Sequence, residues 1–416
     1  MENKRWLYAV IGVIILLFAG IVYAWSVISS PIAAEFSGWT KAALSLTFTI
    51  VMIFFCIGCV AGGALASKIP AKIYVWVSAV LFLAGFLISA NIKNITMLYI
   101  GFGVICGFAS GLSYNAVMGT VGKWFPDKQG LISGILLMGF GISSFIIGKL
   151  FQAFTPDTIG AWRTSFTVLG IVIAAVMAVC GFFIRKPGPD FDIKPAANGK
   201  KRRENPAAIE ANAGLMLRQP SFWLYMLWAI FLTAAGLAIT SQASGIAREV
   251  SSGINPGTVA TVVGLISIAN GVSRVILGGM YDKIGRSAVM QIVNALFIIA
   301  ALVLFVALAK GSFVLLVLGF VLGGAAYGGV TPTNSAFVSS YYGMKNYPLN
   351  FSIINCNLLI ASFGSTVAGA LYDATGSFRS SFVMILVCAV AGIAICIGID
   401  ICDKAIIRKK AAQKEL

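Results

Sequence analysis

The residue with the most chemical consequence is Arg274, which stands 18 residues into an apolar run over 256–280, about a turn and a half before the following loop. A guanidinium keeps its charge. Near mid-bilayer that charge costs roughly 2.5 kcal/mol or more, so such a residue faces a cavity and finds a partner. No Asp or Glu occurs well inside any apolar run, so the chemistry points to a substrate carboxylate, gripped by two parallel N–H bonds. The structural alternative is snorkelling to the nearby interface, or bonding to main-chain carbonyls. Asn270 is four residues earlier, on the same helix face, where it can hold the guanidinium or the substrate. The chain has no His, which excludes catalytic triads, imidazole proton relays and His-ligated metals. Cys56 and Cys59 form a CxxC. With no second CxxC to complete a metal site, they read as two small apolar residues on one helix face. No cofactor is expected.

The elements around these residues follow from composition. The 416 residues are 59% hydrophobic and 11% charged, against about 25% charged in soluble domains. Such a chain cannot clothe a water-facing surface, which excludes a soluble enzyme; its hydrophobicity excludes disorder. A bilayer core needs about 20 apolar residues per helix. Twelve runs qualify: 6–28, 42–66, 71–91, 97–119, 130–152, 162–184, 221–244, 256–280, 287–309, 312–338, 350–372 and 378–400. The first is too long for a signal-peptide core and reads as an uncleaved span. The fold expected is an all-α membrane protein. Of the 30 Lys and Arg, 22 fall in the odd-numbered, linker-side segments and 6 in the alternate loops. The positive-inside rule then places both termini in the cytoplasm. The net charge of +16 is therefore topology, not a nucleic-acid surface. Lys149, near the predicted outer end of its run, reads as snorkelling outward rather than as part of an outer vestibule.

The domains expected are a six-helix bundle over 1–184, a cytoplasmic linker over 185–220, a second bundle over 221–400 and a tail over 401–416. The linker carries five prolines and the cluster Lys200, Lys201, Arg202, Arg203. It reads as mobile, either lying against anionic lipid or simply solvated. The halves resemble each other. Arg5-Trp-Leu-Tyr8 parallels Phe222-Trp-Leu-Tyr225, Gly160-Ala-Trp-Arg163-Thr-Ser-Phe166 parallels Gly376-Ser-Phe-Arg379-Ser-Ser-Phe382, and Gly101-Phe102 parallels Gly319-Phe320. The offsets are nearly constant, which argues for an internal repeat with a pseudo-two-fold axis along the membrane normal. Such halves rock about a central site. Gly58-x-x-x-Gly62 and Gly107-x-x-x-Gly111 are spaced for close helix crossing.

The stretch Gly278-Gly-Met-Tyr-Asp282-Lys283-Ile-Gly285-Arg286 resembles the major facilitator superfamily signature GxxxD(R/K)xGR. In its first-half counterpart, Gly63-Ala-Leu-Ala-Ser67-Lys68-Ile-Pro70, Ser replaces the Asp and Pro replaces the Gly. Within that superfamily the chain looks like the oxalate/formate antiporter family and its bacterial monocarboxylate transporter members. The residues that carry this are Gly20-Ile-Val-Tyr23-Ala-Trp25-Ser26, Lys123-Trp-Phe-Pro-Asp127-Lys128-Gln-Gly130, Ile268-Ala-Asn270-Gly-Val-Ser-Arg274 and Pro332-Thr-Asn334-Ser335.

The resemblance implies a twelve-span transporter of a bacterial inner membrane, not an enzyme, working as a monomer. Asp282 and Arg286, with Asp127 and Lys128, would latch its cytoplasmic side. It also implies that Tyr23, Tyr114 and Tyr327 line the cavity, where a phenol can bond a carboxylate while its ring packs an aliphatic body. Asn115, Asn355 and Asn357 are polar candidates of the same kind. The family's dicarboxylate exchangers add a Lys in span 11, absent here, and a large aromatic where this chain has Gly323. Both differences favour a monocarboxylate such as lactate, pyruvate or formate over oxalate, with an oxalate/formate exchanger as the alternative. Coupling is open between exchange and proton symport. A proton would ride on the substrate or on a span-end carboxylate such as Glu35 or Glu249 reaching inward. A membrane sensor lacks room for an output domain, and a cationic-drug pump lacks its cavity carboxylate.

Overall fold

The computed structural model describes residues 2–39, 41–156, 158–188, 205–251, 253 and 256–414. Among these are twelve helices long and apolar enough to cross a membrane, because in lipid every backbone N–H and C=O must be satisfied within the segment. They are span 1 Arg5–Ala24, span 2 Leu46–Leu65, span 3 Ala71–Ala90, span 4 Ile95–Trp124, span 5 Gln129–Phe154, span 6 Trp162–Phe183, span 7 Pro220–Val250, span 8 Thr261–Ile284, span 9 Arg286–Lys310, span 10 Phe313–Tyr342, span 11 Tyr347–Thr375 and span 12 Arg379–Arg408. Each expected run overlaps one of them.

The chain divides into two compact units. The first comprises Met1–Pro126 and Ile135–Asp192, the second Asp127–Gly134 and Ile193–Leu416. The opening turns of span 5 therefore group with the second unit, although the sequence assigns the whole span to the first half.

Within the first unit, spans 2 and 4 cross on the expected glycines. A Cβ on Gly58 would overlap the Phe108 carbonyl, and one on Gly111 the Phe55 carbonyl. Cys59 Sγ donates to the Gly111 carbonyl at 3.3 Å in this crossing, so the CxxC packs helices. Span 1 passes through a tight 3₁₀ turn at Gly20–Ala24, and span 4 through a π-helical stretch at Tyr99–Cys106.

In the second unit the interruption falls in span 11. Span 11 is three pieces, Tyr347–Asn355, Asn357–Ala361 and Phe363–Thr375. Span 10 carries Pro332 in its interior.

Two segments differ from the sequence reading. The basic cluster at 200–203 lies outside the described residues. Residues 205–219, however, do not hang free. Ile209 N–H donates to the Tyr341 carbonyl at 2.7 Å and Ala211 N–H to that of Tyr342 at 3.3 Å, while Ala207, Ala211 and Met216 are buried. This stretch binds by its backbone, which composition does not reveal. The expected tail is also helical: one helix runs from Arg379 to Lys414. Lys410 Nζ donates to the carbonyl of Pro206 at 3.2 Å and to that of Ala208, tying the C-terminal helix to the docked segment.

Candidate functional site

The geometry around Arg274 is built by glycine crossings on two sides of the helix Pro256–Ile284. A Cβ on Gly134 would overlap the Arg274 carbonyl, and Cβ atoms on Gly130 and Gly278 would each overlap the other's carbonyl. On the other side, a Cβ on Gly328 would overlap the Asn270 carbonyl, and one on Gly324 would lie 2.5 Å from that of Ile266. Small residues at four-residue spacing let backbones meet, so the turn bearing Asn270 and Arg274 is fixed by main-chain contact.

Arg274 is 9% exposed and Asn270 7%. Arg274 Nε donates to Asn270 Oδ1 at 2.9 Å, the same-face pairing the spacing predicts. Because the helix runs on to Ile284, Arg274 sits ten residues from its end, deeper than the sequence boundary suggests. Holding Nε fixes the guanidinium plane, the condition for bidentate recognition of a carboxylate. Tyr327 is half-buried, packs its ring against Gly236 of span 7 and lies within electrostatic reach of Arg274. Asn270 and Arg274 are thus joined directly, while Tyr327 is placed by its packing on span 7.

The other expected residues are placed as follows. Asn355 and Asn357 flank the break in span 11 at Cys356, both buried; Asn357 Nδ2 donates to the Ile354 carbonyl at 2.8 Å. In the first unit, Tyr23 and Tyr114 meet edge-on at Phe140, with centroids 5.3 and 5.1 Å away. Tyr114 is buried and Tyr23 half-buried. Asn115 is buried beside Tyr114. Gly323 does not open room: a Cβ there would meet Ile239 Cδ1 at 2.8 Å. Ile239 fills that space, so Gly323 does not select a monocarboxylate by size. Lys149 is exposed, its Nζ 5.8 Å from the Phe145 ring centre, as for a side chain reaching an interface.

At the linker-side end of the second unit, the Asp282 carboxylate accepts the N–H groups of Gly130 and Leu131, both at 2.9 Å. It caps the start of span 5, where orphan donors and the helix dipole favour an anion. Arg286 is buried and pairs elsewhere. It bonds Asp400, Asp403 at 3.1 Å, and through Nε the Tyr341 hydroxyl at 2.8 Å. Ser287 Oγ donates to Asp400 at 2.9 Å. The sequence reading missed Asp400, Asp403 and Tyr341. Two acids three apart at the end of a run were the available signal, hidden by ending span 12 at residue 400. Lys128, just before span 5, is exposed and Asp127 half-buried.

At the far end of each unit, Glu35 and Glu249 are held by local hydrogen bonds. Glu35 Oε1 accepts from Arg163 Nη2 and Oε2 from Trp162 Nε1, both at 2.7 Å. Glu249 accepts from Ser377 Oγ at 2.6 Å and Phe378 N–H at 2.9 Å. Both clip a span end to the corner before the last span of their half.

The profile of the Major Facilitator Superfamily matches residues 9–251 and 244–400. Among curated relatives, an uncharacterized MFS-type transporter, YhjX of Escherichia coli K12, is 29% identical over 365 residues, 87% of this chain and 86% of its own. The oxalate:formate antiporter of Oxalobacter formigenes is 27% identical over 351 residues, 83% and 80%. Monocarboxylate transporter 13 of Rattus norvegicus is 24% identical over 326 residues, 78% and 72%. Among solved structures, the transporter FucP in its outward conformation aligns with a TM-score of 0.68 at 14% identity, covering 94% of this chain and 98% of that one.

Proposed function

Since the chain belongs to the major facilitator superfamily and is a multi-pass membrane transporter rather than an enzyme, we propose that it moves a small organic monocarboxylate by alternating access. The observation that carries this is Arg274, a permanent cation buried deep in a span and oriented through Nε by Asn270. A carboxylate on that guanidinium has the geometry and charge the site prefers. Tyr327 supplies a phenol and an aromatic wall beside it. The relatives named for oxalate, formate and monocarboxylates support the anion class.

Monocarboxylate is preferred because one interior arginine balances one carboxylate; an oxalate/formate exchanger is the alternative within the class. Exchange is the preferred mode, now that Glu35 and Glu249 are engaged as corner clips. Tyr23, Tyr114 and Asn115 join the proposal on the family resemblance, as do Asn355 and Asn357. Asp282 and Arg286, with Asp127 and Lys128, are assigned to the gate, and Asp282's cap on span 5 is the bond that must break and re-form. We read the transporter as a monomer of a bacterial inner membrane.

Counterflow in proteoliposomes tests this. Labelled formate, lactate, pyruvate and oxalate are offered against each unlabelled anion, with and without a pH gradient. Monocarboxylate exchange is expected, unmoved by the gradient and lost in Arg274→Gln. Wild-type uptake by Arg274→Gln would overturn the assignment of the site. Acceleration by an inward proton gradient would replace exchange by symport.

A further inference from the structure

A cleft of about 570 Å³ opens at the linker-side end of the first unit, between the ends of spans 2, 3 and 6. Its lining includes Lys68, Lys72, Arg185 and Lys186, and among the described residues none of the lining side chains is acidic. Trp76 and Phe182 form its apolar wall. Four cations at one cleft repel one another, so their gathering calls for an anion. Two of them are positioned. Lys186 Nζ donates to the Ala66 carbonyl at 3.1 Å, and Lys72 Nζ stands 5.7 Å from the Trp76 ring centre. Trp76 is itself held by an indole bond to the Ala178 carbonyl at 3.0 Å.

Position in the bilayer selects the kind of anion. Span 2 ends at Leu65, span 3 begins at Ala71 and span 6 ends at Phe183, so the cleft lies at the edge of the apolar zone. Below it the helix faces are apolar and open: Phe182 is 62% exposed, Val179 58% and Val77 43%. A soluble anion would use the cations and leave this face idle. A phospholipid would use both, its phosphate among the Lys and Arg side chains and its acyl chains along Phe182, Val179 and Val77. Basic pockets between spans are where anionic headgroups bind.

The matching stretch of the second half shows which acid this cleft lacks. Its Ser67 stands where the second half has Asp282, the acid that caps span 5. Without that acid, Lys68 and its neighbours have no carboxylate from this position. We infer that this end of the first unit is a binding site for an anionic phospholipid, recognised by a phosphodiester headgroup at Lys68, Lys72, Arg185 and Lys186.

Native mass spectrometry of the purified full-length protein, titrated with phosphatidylglycerol, phosphatidylcholine of the same acyl chains, or glycerol 3-phosphate, tests this. Phosphatidylglycerol is expected to bind at least tenfold more tightly than phosphatidylcholine. Each pair, Lys68→Gln/Lys72→Gln and Arg185→Gln/Lys186→Gln, is expected to weaken it about twentyfold, and Ser67→Asp, at an exposed position, about fivefold. The Ser67→Asp result decides if the paired variants fail to fold. Lys404→Gln/Arg408→Gln removes the same charge near the C-terminus and is expected to leave binding within twofold. An equal loss there would reduce the effect to diffuse attraction and overturn the site, as would unchanged binding in the cleft variants. Binding of glycerol 3-phosphate as tight as that of the lipid would make the occupant a soluble phosphate and overturn the lipid assignment.

Discussion

The linker-side ends of the two units close the same repeat with different chemistry. In the second unit, Gly285 turns the chain between spans 8 and 9 at a φ of 85°, a conformation that favours glycine. That turn sets Asp282 on the start of span 5 and Arg286 against Asp400, Asp403 and Tyr341. In the first unit, Pro70 makes the corresponding turn with extended backbone, φ −63° and ψ 144°. Ser67 and Ala71 occupy the positions of Asp282 and Arg286. Rings and cations close that end instead. Tyr8 stacks on Trp124 at 4.4 Å, the Arg5 guanidinium lies 5.0 Å from the Phe125 ring centre, and Trp124 Nε1 donates to the Arg185 carbonyl at 2.7 Å. The end with the acids has an ionic clasp. The end without them has an aromatic one and a cationic cleft.

The largest effect that would break this contrast is at Arg286. Replacing it with Leu leaves Asp400 and Asp403 facing each other and Tyr341 without its donor. Removing one member of a buried ionic cluster costs roughly 3–5 kcal/mol; Asp400 is 37% exposed, so about 3 kcal/mol is expected. It is read as a fall in Tm of the detergent-purified protein. Ala71→Ser, a small change at the matching and buried first-unit position, should move Tm far less. Equal shifts would mean that the two ends are closed alike. Asp282→Ala comes next. It strips the cap from two N–H groups at the start of span 5, a loss of about 1–2 kcal/mol, and Asp282→Asn should recover part of it. No loss in Asp282→Ala would remove it from the clasp.

Much of this was legible in the sequence because the bilayer enforces it. The twelve spans followed from apolar runs, and the Asn270–Arg274 pairing from four-residue spacing on one helix. The glycine crossings at Gly58 and Gly111 came from the small-residue pattern. What was not legible depends on contacts distant in the chain. Asp400 and Asp403 meet Arg286 across more than a hundred residues. Asn334 accepts from Tyr225 at 2.9 Å and Asn294 from Trp228 at 2.9 Å, cross-helix bonds that no local pattern announces. The docking of 205–219 rests on backbone bonds that side-chain composition cannot encode. Gly323 misled because a glycine's space belongs to whichever neighbour fills it, here Ile239.

At the far ends the contrast reverses. Arg163 pairs with Glu35 and also donates to the carbonyls of Ala90 at 2.9 Å and Ile92 at 3.1 Å. Its repeat counterpart Arg379 is exposed, and Glu249 takes neutral donors instead. Arg163→Gln should therefore cost about 1–2 kcal/mol, losing a charge-assisted bond and two carbonyl bonds. Arg379→Gln should stay within about 0.5 kcal/mol. Comparable shifts in Tm for the two variants would show the repeat to be symmetric here after all.

The smallest effect sharpens the same point through pH. Burial pushes the Glu35 carboxyl up, but the hydrogen bonds from Arg163 and Trp162, with the Arg163 charge, outweigh it and hold the group below its ordinary 4.5. A carboxylate whose folded pKa is depressed adds stability that is fully present above the unfolded pKa. That stability fades as pH falls through the folded value. The pair is partly exposed, 31% and 20%, so its contribution is held to at most about 1 kcal/mol. Glu35→Gln keeps an acceptor for Trp162 and removes the titration. Its Tm at pH 7 should lie slightly below that of the wild type, and the gap should close as both are acidified below 4.5. A gap that stays constant down to the pH where the wild type unfolds would mean that the charge of Glu35 adds nothing to the corner.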